Sequence, residues 1–392
     1  MTTPIESPIS IEKLKSVKKI IVHGDLCADG RGSALILAQV YPNVPIQFVG
    51  YNTLDHINMV PEEGLLFCDF SPHKDNWEAF LEAGTIVLDH HEGISEAVKK
   101  FQAKGLGIYA HNKDAAWANY SGAMLAYHFA ALPLLKNDSN LGALNDIANL
   151  CGIRDTWRKD SDLWVPACET TMAISNLPES YVLDQKTSIQ DKLSFFKFLG
   201  KFQYEKQLDA AKHTLSKAYH FTSEKGTKVC LFSGTGLSSD VAEIADADLV
   251  IGYSLAATEA NSDGTQNITL TLSTRTRKSF PCMCLAQYFG GNGHPSAAGC
   301  KITGKIGDLE PYSKIMSMVN EFEVFFEDTK NMCNSVLGGM TLNLSFSDGG
   351  ANADPKRQLE VVRSTVSIAK MCRVAYDVDE EKLFVRLYKP TE

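Results

Sequence analysis

The stretch Val87-Leu88-Asp89-His90-His91 ends an apolar run in one carboxylate and two imidazoles, donors suited to a divalent metal ion. Two other runs end alike. Lys19-Ile20-Ile21-Val22 leads into His23-Gly24-Asp25-Leu26-Cys27-Ala28-Asp29-Gly30, and Leu65-Leu66-Phe67-Cys68 leads into Asp69. A single Asp after a strand is more often a helix cap or turn former, and a single His more often a hydrogen-bonded core residue. Three coincident strand ends, with Asp155 as a fourth acidic candidate, point instead to a metal site. Mixed nitrogen and oxygen donors suit Mn²⁺, Fe²⁺ or Zn²⁺ better than Ca²⁺ or Mg²⁺, whose preferred shells are all oxygen.

A second stretch with chemical potential is Phe289-Gly290-Gly291-Asn292-Gly293-His294-Pro295-Ser296-Ala297-Ala298-Gly299. Its glycines permit positive φ and close backbone approach, and exposed backbone N–H groups can hold phosphate oxygens. His294 can donate to a substrate, and Arg275 and Arg277 lie nearby in sequence to grip phosphate with directed hydrogen bonds. An ordinary turn is the plain alternative for the glycines alone. The segment lacks the Gly-Lys-Ser/Thr ending of a Walker A loop, and Gly24 to Gly32 does not have dinucleotide-fingerprint spacing.

The elements that must position these residues follow from the same patterns. Short buried strands are expected at Val17 to Val22, Ile46 to Val49, in the run ending at Asp69, and in the run into Asp89. A helical pattern covers Gly30 to Val40, and another covers roughly Asp75 to Ala83. Strands alternating with helices at this spacing predict an α/β fold with a mostly parallel sheet and right-handed crossovers. Leu106 to Tyr109 reads as an edge strand, and Tyr120 to Leu132 and Leu141 to Leu150 as helices. Trp157 reads as packing against the helical layer rather than stacking a base. Helix is expected from Asp191 to Phe221 as a link. Beyond it, strands at Val229 to Phe232, Asp248 to Tyr253 and Asn267 to Leu272, and a short helix at Ser239 to Ala245, predict a second, strand-rich domain. The predicted division is 1–190, a helical linker 191–222, and 223–392. From Asp308 onward the pattern predicts a helix near Tyr312 to Phe325 and strands at Met340 to Leu344 and Lys382 to Leu387.

The 392 residues, 44% of them hydrophobic, are enough for two cores. A formal charge of -9 argues against stable binding of duplex nucleic acid, while leaving a short anionic substrate open. Ten scattered cysteines give no disulfide framework and fit a reducing compartment. The start lacks a basic region followed by an apolar one, and no run approaches 18 apolar residues, so a cytoplasmic protein without membrane contact is expected.

In order along residues 17 to 305, His23-Gly-Asp-Leu-Cys-Ala-Asp29-Gly, Asp69, Asp89-His90-His91, Gly152-Ile-Arg-Asp155 and Gly290-Gly-Asn-Gly-His294-Pro-Ser-Ala-Ala-Gly299 resemble the DHH/DHHA1 phosphoesterase family. The resemblance implies an N-terminal Rossmann-like catalytic DHH domain, a mostly parallel sheet with helices on both faces, a smaller C-terminal mixed-sheet α/β DHHA1 substrate domain, and catalysis in a cleft between them. It implies metal ligation by His23, Asp29, Asp69, His90 and Asp155, with Asp69 bridging if two ions bind. Asp89 would support the site, and His91 would contact phosphate or assist proton transfer. Arg275, Gly291, Asn292, Gly293 and His294 would bind substrate. The expected cofactor is Mn²⁺, one or two ions, with Fe²⁺, Zn²⁺ or Mg²⁺ as alternatives.

Two departures qualify the resemblance. Cys27 stands where the common pattern has an Asp that helps bind the first metal, and either thiolate ligation or loss of one ion would follow. The chain also continues about 85 residues past Asp308. This material is expected to complete the second domain, with an oligomer contact or a restricted cleft as alternatives. The function expected is hydrolysis of a small phosphate substrate, first of all short RNA, DNA or dinucleotides, by metal-activated water. The competing readings are a nucleotide-binding regulator with little or no hydrolysis, and an enzyme acting on nucleotide bisphosphates or polyphosphate.

Overall fold

The computed structural model describes residues 7–24, 26–51, 53–73, 75–91, 95–110, 117–260, 266–305, 310–346 and 354–390. The chain divides into two compact units, Met1–Lys206 and Gln207–Glu392, and the division falls inside the helix Ile189–Ser216.

In the first unit, β1 (Lys19–His23), β2 (Ile46–Val49), β3 (Leu65–Cys68), β4 (Ile86–Asp89) and β5 (Gly107–Tyr109) pair in parallel, in the order β2-β1-β3-β4-β5. Side chains alternate across the sheet, so one strand feeds two cores. Ile20, Val22, Leu66, Leu88 and Ile108 join the core that holds the helices Ala28–Val40 and Leu141–Asp155. Ile21, Phe67 and Val87 join the opposite core with Phe80 and Phe101, from the helices Trp77–Glu82 and Ser95–Ala103. Burial on both faces is why these strands read as unbroken apolar runs. The helix Ala28–Val40 is itself buried from Asp29 to Ala38, so it carries no polar face to mark it.

Two helical expectations change in detail. The stretch expected as one helix from Tyr120 to Leu132 is three short pieces, Gly122–Ala126, a π-turn at Tyr127–Ala131, and Leu132–Leu135. Pro133 has no N–H to give to the carbonyl four residues back, and the wider turn precedes it. The helix beginning at Leu141 runs on to Asp155, five residues past the expected Leu150, which makes Asp155 its last residue.

In the second unit, six strands lie in the order β10-β11-β9-β8-β7-β6. They are β6 (Tyr219–Thr222), β7 (Lys228–Ser233), β8 (Leu249–Ala260), β9 (Gln266–Arg275), β10 (Asn292–His294) and β11 (Ala297–Lys305). Among these strands only β7 and β8 pair in parallel, so the sheet is mixed. The helical expectation to Phe221 is corrected here: the helix ends at Ser216, and Phe221 lies in β6. Tyr219 and Phe221 alternate as strand residues, and a turn with Gly226 at φ 93° returns the chain into β7.

The C-terminal stretch is more regular than expected. One helix runs Pro311–Leu337, and the sheet β12-β14-β13 (Leu342–Ser345, Phe384–Tyr388, Ala375–Asp379) packs with the helix Pro355–Met371. The unexpected helix Pro355–Met371 does carry a start signal, Asp354 capping the Lys356 N–H with Pro355 at the first position. Among the described residues, no helix is long and apolar enough to cross a membrane.

Candidate functional site

The sheet order places β1 and β3 side by side, with the chain departing to β2 on one side and to β4 on the other. In open α/β sheets this reversal leaves a crevice at the carboxyl ends of the strands, where ligands bind. His23 ends β1, Asp69 follows β3, and Asp89, His90 and His91 close β4. Asp69 sits at φ 55°, in the left-handed region that few non-glycine residues occupy. Strain of that kind concentrates at functional sites.

Asp69 has one oxygen toward each of two donor sets. Its Oδ2 lies 3.5 Å from Cys27 Sγ and 3.7 Å from His23 Nδ1. Its Oδ1 lies 3.0 Å from His90 Nε2, which is also 3.5 Å from Asp155 Oδ2 and 3.9 Å from Asp29 Oδ2. Among the described residues, three groups have donor atoms within 4.8 Å of one another: His23, Cys27 and Asp69; Asp29, His90 and Asp155; and Asp69, Asp89, His90 and His91. The residues fit a cation. His23 Nδ1 is buried with no hydrogen-bond partner, and three carboxylates crowd one imidazole.

Protonation reflects that crowding. Burial pushes the Asp29 carboxyl well up, reinforced by the charges of Asp69 and Asp155, and it raises Asp155 likewise, reinforced by Asp69. Burial opposes charge on His90, but the Asp155 carboxylate and the contact with Asp69 outweigh it and raise the imidazole well above its ordinary value. Burial also opposes charge on Asp69, yet the contacts with His23 and His90 and the charge on His91 hold it well below the carboxylate range. Binding of a cation would therefore compete with protons on these groups. Chelation is expected to lower the melting temperature, by the equivalent of about 2.7 kcal/mol for an ion held at a hundred times its Kd. Since lower pH returns protons to the raised His90, Asp29 and Asp155, that stabilisation should shrink as pH falls. Differential scanning fluorimetry with and without chelator across pH checks both.

A separate network fixes His91. Asp89 is fully buried, accepts from Ser71 Oγ at 2.6 Å and from the N–H groups of His90 and His91 at 2.6 and 3.1 Å, and faces His91 Nδ1 at 2.7 Å. Burial works against the His91 charge, but Asp89 prevails and raises the imidazole. Tyr51 closes the surround, with its hydroxyl 3.4 Å from His91 Nδ1 and its ring 5.0 Å from that of His23. Ser71→Ala leaves one oxygen of a buried carboxylate without its hydroxyl donor. A loss of about 1–3 kcal/mol in stability is expected, with His91 less well oriented. Chemical denaturation checks the stability.

Glycines bring the ligands together. A Cβ on Gly30 would lie 2.2 Å from the His23 carbonyl oxygen, and one on Gly122 would lie 2.3 Å from Asp69 Cβ. The helix Gly122–Ala126 also ties down Asp29, whose carboxylate accepts from Ser121 Oγ at 2.7 Å and from the N–H groups of Gly122 and Ala123 at 2.6 and 3.2 Å. Ser71, Tyr51, Ser121 and Gly122 are absent from the sequence-derived site. Ser121-Gly122 was open to notice as a cap before an apolar helix, whereas Tyr51 has no local signal. Asp25 lies outside the described residues. Trp157 stacks on Trp164 with a 5.4 Å centroid separation, and Arg154 and Lys159 lie over its ring, so it packs as expected.

The residues expected to bind substrate gather in the second unit. Arg275 ends β9, and Asn292, Gly293 and His294 form β10, where His294 pairs with Ala297; the His294 side chain lies outside the described part. The expectation of open backbone donors is corrected. Gly290 N–H donates to the Gln287 carbonyl and Gly291 N–H to the Ala286 carbonyl, ending the helix Cys282–Tyr288, while Gly293 N–H donates to Asn292 Oδ1. A Cβ at Gly291 would sit 2.0 Å from the Gly299 carbonyl oxygen, so close packing explains that glycine. Arg275 donates from Nε to Ser239 Oγ at 3.0 Å and from Nη1 to the Thr274 carbonyl at 2.8 Å.

Among solved structures, the chain is similar to a DHH domain described as a member of a family of ribosomal proteins. The TM-score is 0.50 and identity 12%, over 80% of this chain and 87% of that one. It is similar also to a pGpG-specific phosphodiesterase, PggH, from Vibrio cholerae (TM-score 0.34, 14% identity, 77% and 99% covered). An exopolyphosphatase-related protein from Bacteroides fragilis gives a TM-score of 0.42 at 14% identity, with 79% and 93% covered. The chain shares the fold of a DHH-domain protein. At 12% identity that likeness is one of fold alone, and the other two structures are too distant in shape to add to it. No protein-family profile matches the chain, and no curated protein matches it.

Proposed function

We propose that this protein is a metal-dependent phosphoesterase that hydrolyses a small phosphate substrate, short oligonucleotides or dinucleotides before others. The observation that carries the reading is Asp69, strained and buried, with one oxygen toward His23 and Cys27 and the other toward His90. The DHH-type fold and the donor set support it together. His23, Asp29, Asp69, His90 and Asp155 would hold one or two ions, Mn²⁺ first. Such ions supply a water of lowered pKa and offset the charge that grows on phosphate.

The chain's own groups supply the rest. Asp89 orients His91, and the raised His91 is a proton carrier that can donate to a phosphate oxygen or leaving group. The second unit is proposed as the DHHA1-like substrate domain, with Arg275, Asn292 and His294 as its contacts. Ten free cysteines fit a reducing compartment, and a cytoplasmic location belongs to this proposal.

The test is hydrolysis with Mn²⁺ across linear dinucleotides, short RNA and DNA, cyclic dinucleotides, a nucleotide bisphosphate and polyphosphate, with products resolved by mass. Metal-dependent cleavage of the short nucleotides is expected. A folded, metal-loaded protein that binds nucleotide tightly and releases no product would contradict hydrolysis and favour a nucleotide-binding regulator.

A further inference from the structure

We propose that His23, Cys27 and Asp69 form a sulfur-containing metal seat selective for a thiophilic divalent ion such as Zn²⁺ or Fe²⁺ over Mn²⁺. The inference deepens the proposed function at the same site and rests on it for the presence of a metal centre. The two donor sets share Asp69 and differ in the atoms that complete them. Beyond Asp69 Oδ1, the second set consists of Asp29, His90 and Asp155, so it offers only nitrogen and oxygen. The first set alone includes sulfur. Thiolates favour Zn²⁺ and Fe²⁺, whereas carboxylates are the donors on which Mn²⁺ relies.

Local structure is arranged for that sulfur. Cys27 occupies the N-cap of the helix Ala28–Val40, a position where Ser, Thr, Asp or Asn is usual. Its Sγ lies 3.5 Å from Asp69 Oδ2. The preceding residue, Leu26, is held at φ 64°, a conformation disfavoured for a bulky side chain, and it is largely exposed, so core packing does not account for the turn. His23 Nδ1 completes the set, buried and without a hydrogen-bond partner, 3.7 Å from the same oxygen.

The Sγ–Oδ2 separation of 3.5 Å matches two donors sharing one small ion, and the Nδ1–Oδ2 separation of 3.7 Å would close by a few tenths of an ångström on binding. Bond lengths of about 2.3 Å to sulfur and about 2.0–2.1 Å to nitrogen and oxygen give tetrahedral edges of roughly 3.5 Å between S and O and roughly 3.3 Å between N and O. On binding, the S–H bond breaks as the sulfur–metal bond forms and the proton leaves to solvent, with no change of oxidation state.

The experiment loads the metal-free full-length chain with Co²⁺ and records electronic absorption together with bound metal. Wild type is expected to show a sulfur-to-cobalt charge-transfer band that grows as the seat fills. Cys27→Ser should lose the band and bind one ion fewer. Cys27→Asp should bind both ions without the band, and its preference for Zn²⁺ over Mn²⁺ in competition should fall at least tenfold. Cobalt binding to wild type without the band, or a band that survives in Cys27→Ser, would overturn the sulfur seat. Phosphoester turnover without the band removes this inference and leaves the proposed function, while the band without turnover does the reverse.

Discussion

Asp69→Asn is expected to reduce phosphoester turnover by about three orders of magnitude or more. The substitution keeps the side chain's size and removes the charge that two donor sets share, since Oδ2 faces His23 and Cys27 while Oδ1 faces His90. Metal assistance contributes several kcal/mol to such reactions, and about 4 kcal/mol corresponds to roughly a thousandfold at 1.36 kcal/mol per decade. An amide also places N–H where one of the two sets needs a lone pair. Steady-state kinetics at saturating Mn²⁺ and circular dichroism of the same preparation separate lost chemistry from lost fold. A folded variant within tenfold of wild type would remove Asp69 from the centre of the account.

Gly122→Ala should be nearly as damaging, although residue 122 donates no side chain. The new Cβ would sit 2.3 Å from Asp69 Cβ and 2.8 Å from its Cα, contacts with a strand end that has no freedom to swing aside. Overpacking of this kind costs about 1–3 kcal/mol, a melting shift of roughly 2–12 °C for a unit of this size. Relief of the overlap must move Asp69, the capped Asp29, or both, because Gly122 N–H also bonds Asp29. A displacement of about 1 Å at a catalytic centre can cost roughly a hundredfold in rate. Bound metal, melting temperature and kcat should fall together. Normal values for all three would mean that the helix start moves without consequence for the ligands.

The contrast between these two residues shows what was legible in the sequence. Asp69 announces itself because a parallel strand buried on both faces is an apolar run, and the first carboxylate after it stands out. The same reasoning found His23, Asp89, His90 and His91, and alternating helices implied the parallel sheet that unites them. Gly122 and Ser121 act across more than ninety residues on Asp29, so their role exists only after folding. Asp155 depended on a helix running five residues further than its apolar pattern indicated. In the second unit, the glycine pattern marked special backbone, and helix termination takes the Gly290 and Gly291 N–H groups while the Asn292 side chain takes that of Gly293.

The measurement that tests the central claim most directly is the number of divalent ions bound per folded chain, by elemental analysis after equilibration with Mn²⁺ and Zn²⁺. Asp69 placed between two donor sets predicts two ions in wild type and at most one in Asp69→Asn. A folded wild-type chain that retains none, or an Asp69→Asn variant that retains both, would contradict a shared carboxylate as the organising feature of the site.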